Sequence, residues 1–273
     1  MVSVITPASS AVLIVDKWGT GTHKTIPAAI TAANAGDTVV VYPGEYTDQV
    51  ILNKNILLQG SGYEYTVIRT ITDPALTMST GTVRWFTISS STGDGVKMSG
   101  GVLSNCVVSG CAKGGIWYSG GSLAVIMNCV VKDNNFHPSS TSLKPQILST
   151  SDGLSVINTI IWTCPTGEGE RDWIFGDGAN VSILYCRSSN NSLGIGCISD
   201  NPCFISCSDV KLCPTSACID TGSTVIFDPD GTRSDMGYFG GTDTPIFPVI
   251  TKLIISVNPD GTVKVQGTAE SRY

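Results

Sequence analysis

Along most of the chain, apolar residues fall in short alternating runs that close on Gly, Ser, Asn or Asp. The segments SNCVVSG (104–110), MNCVVKDNN (127–135) and INTIIWTC (157–164) can be superimposed. LYCRSSNN (184–191) continues the series and RWFTISSS (84–91) begins it. The aligned positions Phe86, Cys106, Cys129, Thr159 and Cys186 are separated by 20, 23, 30 and 27 residues. A short strand and a turn recurring at that period is the mark of a solenoid. A helical solenoid needs an amphipathic helix in every repeat, whereas one segment alone, THKTIPAAITAANAGD (22–37), carries that pattern. The pattern therefore predicts a single-stranded parallel β-helix, in which stacked coils pair strand on strand about 4.8 Å apart. Cys106 and Cys129 then belong to one inward ladder. Asn105, Asn128 and Asn158 form an asparagine ladder at a turn, with amides bonding up and down the stack. The longest insertions, 133–146 and 164–172, project from the rod and are expected near each other.

The ends follow different patterns. Thr25 suits a helix N-cap with Pro27 in the first turn, Ile26, Ala29, Ile30 and Ala33 make one apolar face, and Gly36 supplies a stop. This helix is expected to cover the open front of the β-helix, with TVVVYPGEY (38–46) as the first buried strand. At the other end KLIISV (252–257), NPDG and TVKVQG (262–267) read as a β-hairpin, marginal unless it packs on something. The N-terminal strand AVLIV (11–15) also stands outside the repeats. These terminal strands either cap their own chain or pair with a second copy, giving a homo-oligomer or filament. The expected division is an N-terminal extension (1–21), the parallel β-helix (22–241) and a C-terminal hairpin tail (242–273).

Composition narrows the function. With 41% hydrophobic, 14% charged and 7% aromatic residues and 30 glycines, the chain reads as all-β. A net charge of −6 argues against a nucleic-acid partner, and no apolar run reaches the roughly 20 residues of a membrane span. The opening MVSVITPASSAVLIV lacks the basic and long apolar regions of a signal peptide. Either a mature chain is expected, or an export signal lying outside it. Ten cysteines beside two histidines, without CxxC pairs, do not suit zinc. Cys197, Cys203, Cys207, Cys213 and Cys218 are disulfide candidates in an oxidising compartment, while Cys106, Cys129 and Cys186 read as core. No metal or other cofactor is expected. The alternative is calcium at Asp228, Asp230 and Asp235 in DPDGTRSD, but the EF-hand pattern fails there. The favoured reading is a tight turn with Arg233 bonding Asp220 or Asp235. Trp117 and Tyr118, with Trp162 and Trp173, are the best candidates for a platform that stacks sugar rings.

TIPAAITAANAGDTVVVYPGEYTDQVILNKNILLQGSG, followed by TVI, resembles the opening of the pectin lyase-like superfamily, whose members are right-handed parallel β-helices. SACIDTG (216–222) with DPDGTRSDMGYFGG (228–241) is similar to the closing segment of secreted, surface-attached β-helix repeat proteins. The run DWIFGDGANVSILYC (172–186) resembles the pectin methylesterase segment in which the Asp is the nucleophile. That resemblance implies that Asp172 attacks an ester carbonyl, with Asp133 as the nearest candidate for the second carboxyl group. The family's Gly-Tyr-Gln-Asp-Thr and Gly-Arg-Pro-Trp strings are absent, and Arg187 is the only arginine between Asp172 and the closing segment. A lyase needs a calcium cluster and an arginine base, and the body offers only Arg69, Arg84, Arg171 and Arg187. The reading that results is a non-catalytic extracellular or cell-surface protein, structural or polysaccharide-binding. The alternative is an esterase or lyase acting on acidic polysaccharide.

Overall fold

Each coil runs through three short strands, and each strand stacks in parallel on its counterpart in the next coil. The computed structural model describes residues 10–19, 21–135, 145–164, 174–176, 180–188, 194–244, 247–257 and 263–272. Sheet I has eight strands, from Val12–Val15 through Thr82–Arg84, Gly101–Ser104 and Ala124–Met127 to Ser182–Leu184. Sheet II has six, from Gly44–Tyr46 to Ile160–Trp162, and sheet III six, from Val50–Leu52 to Ile174–Gly176. The alternation of the sequence becomes the inside and outside of the rod. Val83, Leu103, Ile126, Val156 and Ile183 stand in register on sheet I with their side chains buried. Ile68, Ile88, Val108, Val131 and Ile161 do the same on sheet II. Each such residue contributes roughly 1.5–3 kcal/mol by leaving water. The ladder Phe86, Cys106, Cys129, Thr159 and Cys186 is fully buried, and Val107 pairs with Val130, so Cys106 and Cys129 lie on adjacent coils as the repeat requires.

The turn from sheet I to sheet II is left-handed at five successive coils: Trp85, Asn105, Asn128, Asn158 and Tyr185 have φ of 69°, 44°, 50°, 49° and 52°. Asparagine tolerates this region because its short side chain finds local partners. The amides do not bond up and down the stack as expected. Asn105 Nδ2 donates to the carbonyls of Tyr238 and Gly240, both at 2.8 Å. Asn158 Nδ2 donates to Ser234 Oγ at 3.1 Å, and its Oδ1 accepts from the Ser223 N–H at 2.7 Å. The closing segment lies across the turn and satisfies these groups at its own backbone, so the ladder anchors the strap instead of joining coil to coil. Asn158→Ala should cost about 2 kcal/mol, from the left-handed backbone plus two stranded buried partners. Chemical denaturation of the variant measures it, and a loss below a few tenths would show that the strap does not depend on this amide.

The regular coils end at Leu184, and the chain then folds back along the outside of sheet II. Val107, Val130 and Ile160 point outward from that sheet and are nevertheless buried, under Val210, Cys218, Met236 and Tyr238. The strap reaches the early coils. Tyr63 Oη donates to Asp209 at 2.8 Å, Tyr238 Oη accepts from the Tyr63 N–H at 3.1 Å, and Arg84 pairs with Asp243 at 2.8 Å. At the front, Val12–Val15 pairs with Thr38–Val41, and its other edge is taken by His23, whose N–H donates to the Ile14 carbonyl at 3.0 Å. The helix spans Ile26–Ala32, with Thr25 Oγ1 accepting from Ala28 N at 3.3 Å and Ile26, Ala29 and Ile30 in the core. It ends before Gly36, with Ala33 already in extended backbone at ψ of 148°, and Lys54 Nζ takes the Thr31 and Ala33 carbonyls, at 2.7 and 2.8 Å. Phe247–Val257 and Val263–Arg272 form the antiparallel hairpin, with a register slip between Ile250 and Lys252. Among the described residues no helix is long and apolar enough to cross a membrane.

Candidate functional site

Asp133 ends the strand Val130–Lys132 of sheet II, in the left-handed region with φ of 51°. Its carboxylate is fully engaged. Oδ1 accepts from Cys164 N at 2.7 Å, and Oδ2 pairs with Lys132 Nζ at 2.7 Å. The Lys132 side chain is 6% exposed and the Asp133 side chain 20%. Lys132 Nζ also donates to the Cys207 carbonyl of the strap. One oxygen of the proposed second carboxyl group is thus held in a largely buried ion pair and the other by a backbone amide, both structural partners. Asp172, the candidate nucleophile, lies outside the described residues. The roots of the two longest insertions do meet, at the Asp133–Cys164 bond. Arg187, 2% exposed, holds the carbonyls of Asp200 at 2.7 Å and Ile161 at 2.9 Å, and its guanidinium lies 4.0 Å over the Trp162 ring. It props the last coil.

The four aromatic candidates do not form one platform. Tyr118 points inward, is fully buried, and donates to the Ser122 and Asp152 carbonyls at 3.0 and 3.1 Å, because the register of sheet III puts its neighbour outside. Trp162 sits on sheet II, under Arg187 and among residues of the strap. Trp173 lies outside the described residues. Trp117 faces outward from sheet III. Lys97, one coil below in direct register, places its Nζ 4.3 Å from the ring centroid, and Trp117 Nε1 reaches Thr150 Oγ1 at 3.4 Å. The outward column Ile51, Thr77, Lys97, Trp117 and Leu148 follows from the strand pairing. Composition alone missed Lys97; its signal is a separation of 20 residues from Trp117, equal to the coil spacing there.

The calcium alternative meets a different geometry. Asp228 accepts from the N–H groups of Asp235, at 2.9 Å, and Gly241, at 2.5 Å. Asp230 accepts from Thr232 N at 2.9 Å, and Asp235 from Asp220 N at 2.8 Å. Among the described residues no group of three acids, histidines or cysteines is placed to hold a metal ion. Arg233 bonds neither Asp220 nor Asp235; it donates to the carbonyls of Gly222, at 2.5 Å, and Thr221, at 3.0 Å. The Asp235 carboxylate is instead taken by the Asp220 N–H. Burial, reinforced by the charges of Asp228, Asp220 and Asp230, raises the Asp235 carboxyl to about 7. An acid whose pKa is raised on folding stabilises the fold while protonated, so this contribution is complete below pH 4 and fades as pH rises through 7. The thermal midpoint should fall between pH 5 and pH 8 by the equivalent of about 2 kcal/mol, after allowing for partial exposure. In Asp235→Asn the slope should flatten; equal slopes in both proteins would exclude Asp235 as the source.

Cys106, Cys129 and Cys186 are core thiols, as expected, and the candidate cluster is bridged in part. Cys203 pairs with Cys213, and Cys207 with Cys164, a residue outside the expected cluster, with Cα separations of 5.5 and 5.9 Å. Cys197 and Cys218 remain thiols, as do Cys106, Cys111, Cys129 and Cys186. The strap folds back against the base of the second insertion, which brings Cys207 to Cys164 while Cys218 faces the apolar layer on sheet II.

The right-handed β-helix family matches residues 75–229, more than half of the chain, and the chain belongs to that family. The three stacked parallel sheets described above are the architecture that this family name states. Pectin methylesterase PemA from Erwinia chrysanthemi is similar over 96% of this chain and 86% of its own, at 12% identity and a TM-score of 0.45. Pectin methylesterase from carrot is similar over 74% of this chain and 80% of its own, at 11% identity and 0.42. Pectate lyase Pel9A is similar over 86% and 97%, with 14% identity and 0.35. No curated protein sequence matches the chain.

Proposed function

We propose that this chain is a non-catalytic extracellular β-solenoid that binds acidic polysaccharide through the outer face of sheet III. The observation that carries the reading is the outward pair of Lys97 and Trp117 on neighbouring coils. An indole presents an apolar face to a pyranose ring, and an ammonium group beside it attracts a uronate. Ile51, Thr77 and Leu148 extend the column across successive coils, which suits an extended chain over a single sugar. The two disulfides support an extracellular setting. The non-catalytic part rests on Asp133, whose carboxylate oxygens are spent on Lys132 and Cys164 N.

Affinity electrophoresis in gels containing polygalacturonate should retard the protein, and Trp117→Ala should weaken binding roughly tenfold, about 1.4 kcal/mol. Lys97→Gln should weaken binding to polygalacturonate more than to a neutral glycan. On methyl-esterified pectin, methanol release and the absorbance of unsaturated products should stay at background. Methanol release that disappears in Asp172→Ala would replace this reading with the esterase.

A further inference from the structure

We propose that Cys186 and Cys197 form a resolving pair for thiol–disulfide exchange, closing a third disulfide that latches the strap to the last coil. Arg187 and Ile198 form a parallel bridge, and the Ile198 N–H donates to the Cys186 carbonyl at 2.9 Å, so the two cysteines sit on neighbouring passes of the chain. Adjacent parallel strands lie about 4.8 Å apart, inside the Cα separation of roughly 4.4–6.8 Å that a disulfide spans. Cys197 Sγ accepts from the Cys186 N–H at 3.4 Å, and the two side chains are hydrogen-bonded to each other.

The pair is asymmetric in a way that exchange requires. Cys186 is fully buried, whereas Cys197 is only partly buried, at the margin of the core. The thiol and amide of Cys186 both donate to the Cys197 sulfur and lower its pKa to about 6, while burial raises Cys186. Cys197 is therefore the more acidic thiol of the pair and the entry point. It attacks one sulfur of an external disulfide, of the small-molecule or protein class, and expels one thiolate. Cys186 then gives up its proton and attacks Cys197 Sγ, and the second external thiol leaves. Two protein thiols and one external disulfide become one protein disulfide and two external thiols. Cys106 and Cys129 are also stacked on adjacent coils, and like Cys186 they lie against backbone carbonyls, but both members of that pair are sealed in the core and neither offers an entry point. They serve as an internal control.

The test uses the full folded chain and oxidised glutathione. After exchange the protein is unfolded without reductant, alkylated with N-ethylmaleimide and weighed. The six thiols of the starting protein should fall by two, and peptide mapping should join Cys186 to Cys197. A preparation already carrying that bond gives the same peptide and the same conclusion. In Cys186→Ser the glutathione should remain on Cys197 as a stable adduct. In native wild type, Cys197 should alkylate at least tenfold faster than Cys106 or Cys129. Six thiols still alkylatable after exchange, a glutathione adduct persisting on wild-type Cys197, or a bond between any other pair overturns the proposal.

Discussion

Asp133→Ala should destabilise the protein by about 3 kcal/mol, because it leaves the Lys132 ammonium buried without its counter-charge. Lys132 is 6% exposed on its side chain, and it would keep a carbonyl of the strap and the Phe204 ring, 5.9 Å from Nζ to the centroid, neither of which carries a counter-charge. Asp133→Asn keeps an acceptor for the Cys164 N–H and should cost about half as much. The informative comparison is Lys132→Met together with Asp133→Ala, which removes both charges and should recover much of the loss. Urea titration of the four proteins reads these differences. A catalytic carboxylate behaves differently: its alanine variant would keep stability and lose turnover. If Asp133→Ala unfolds at the wild-type urea concentration, the account of this residue as a structural anchor is wrong.

The second large effect is expected at the bond between Cys164 and Cys207. These residues are 43 apart in sequence, and in the chain-entropy account closing a loop of that length stabilises by about 4 kcal/mol. Cys207→Ser should lower the unfolding free energy by nearly that amount, more than opening the Cys203–Cys213 bridge, whose separation is 10. Since Lys132 Nζ donates to the Cys207 carbonyl and Cys164 N donates to Asp133, the bridge and the ion pair share one region. The double variant Asp133→Ala with Cys207→Ser should therefore lose less than the sum of the single losses. Strict additivity would mean that the two features hold separate parts of the chain.

The coils were legible because their signal is local: a few alternating residues and a turn, repeated, determine which faces turn inward. The strap was not, although it left a trace. The strands of sheet II read Val107-Val108, Val130-Val131 and Ile160-Ile161, apolar on both faces, and a strand covered on both sides must have a second layer over it. A search for alternation discards that information. The asparagine ladder was visible as residue type and position, but its partners belong to a segment some 70 to 130 residues away. For the candidate site, Asp133 was found by its chemistry, and its commitment to Lys132 and Cys164 depends on the insertion and the strap both being in place. Tyr118 and Trp117 are neighbours of equal promise in sequence, and only the register of sheet III decides which faces out.

An ordinary stack of coils touches only its nearest neighbours, so it can fray one layer at a time from an exposed end. Here Tyr63 and Arg84, near the start, are tied to Asp209, Tyr238 and Asp243, near the finish. Peeling the final layers means first lifting a brace that grips the opening ones. A rod braced in this way is expected to melt as one block, with its resistance to proteases set by the whole length instead of by its weakest tip.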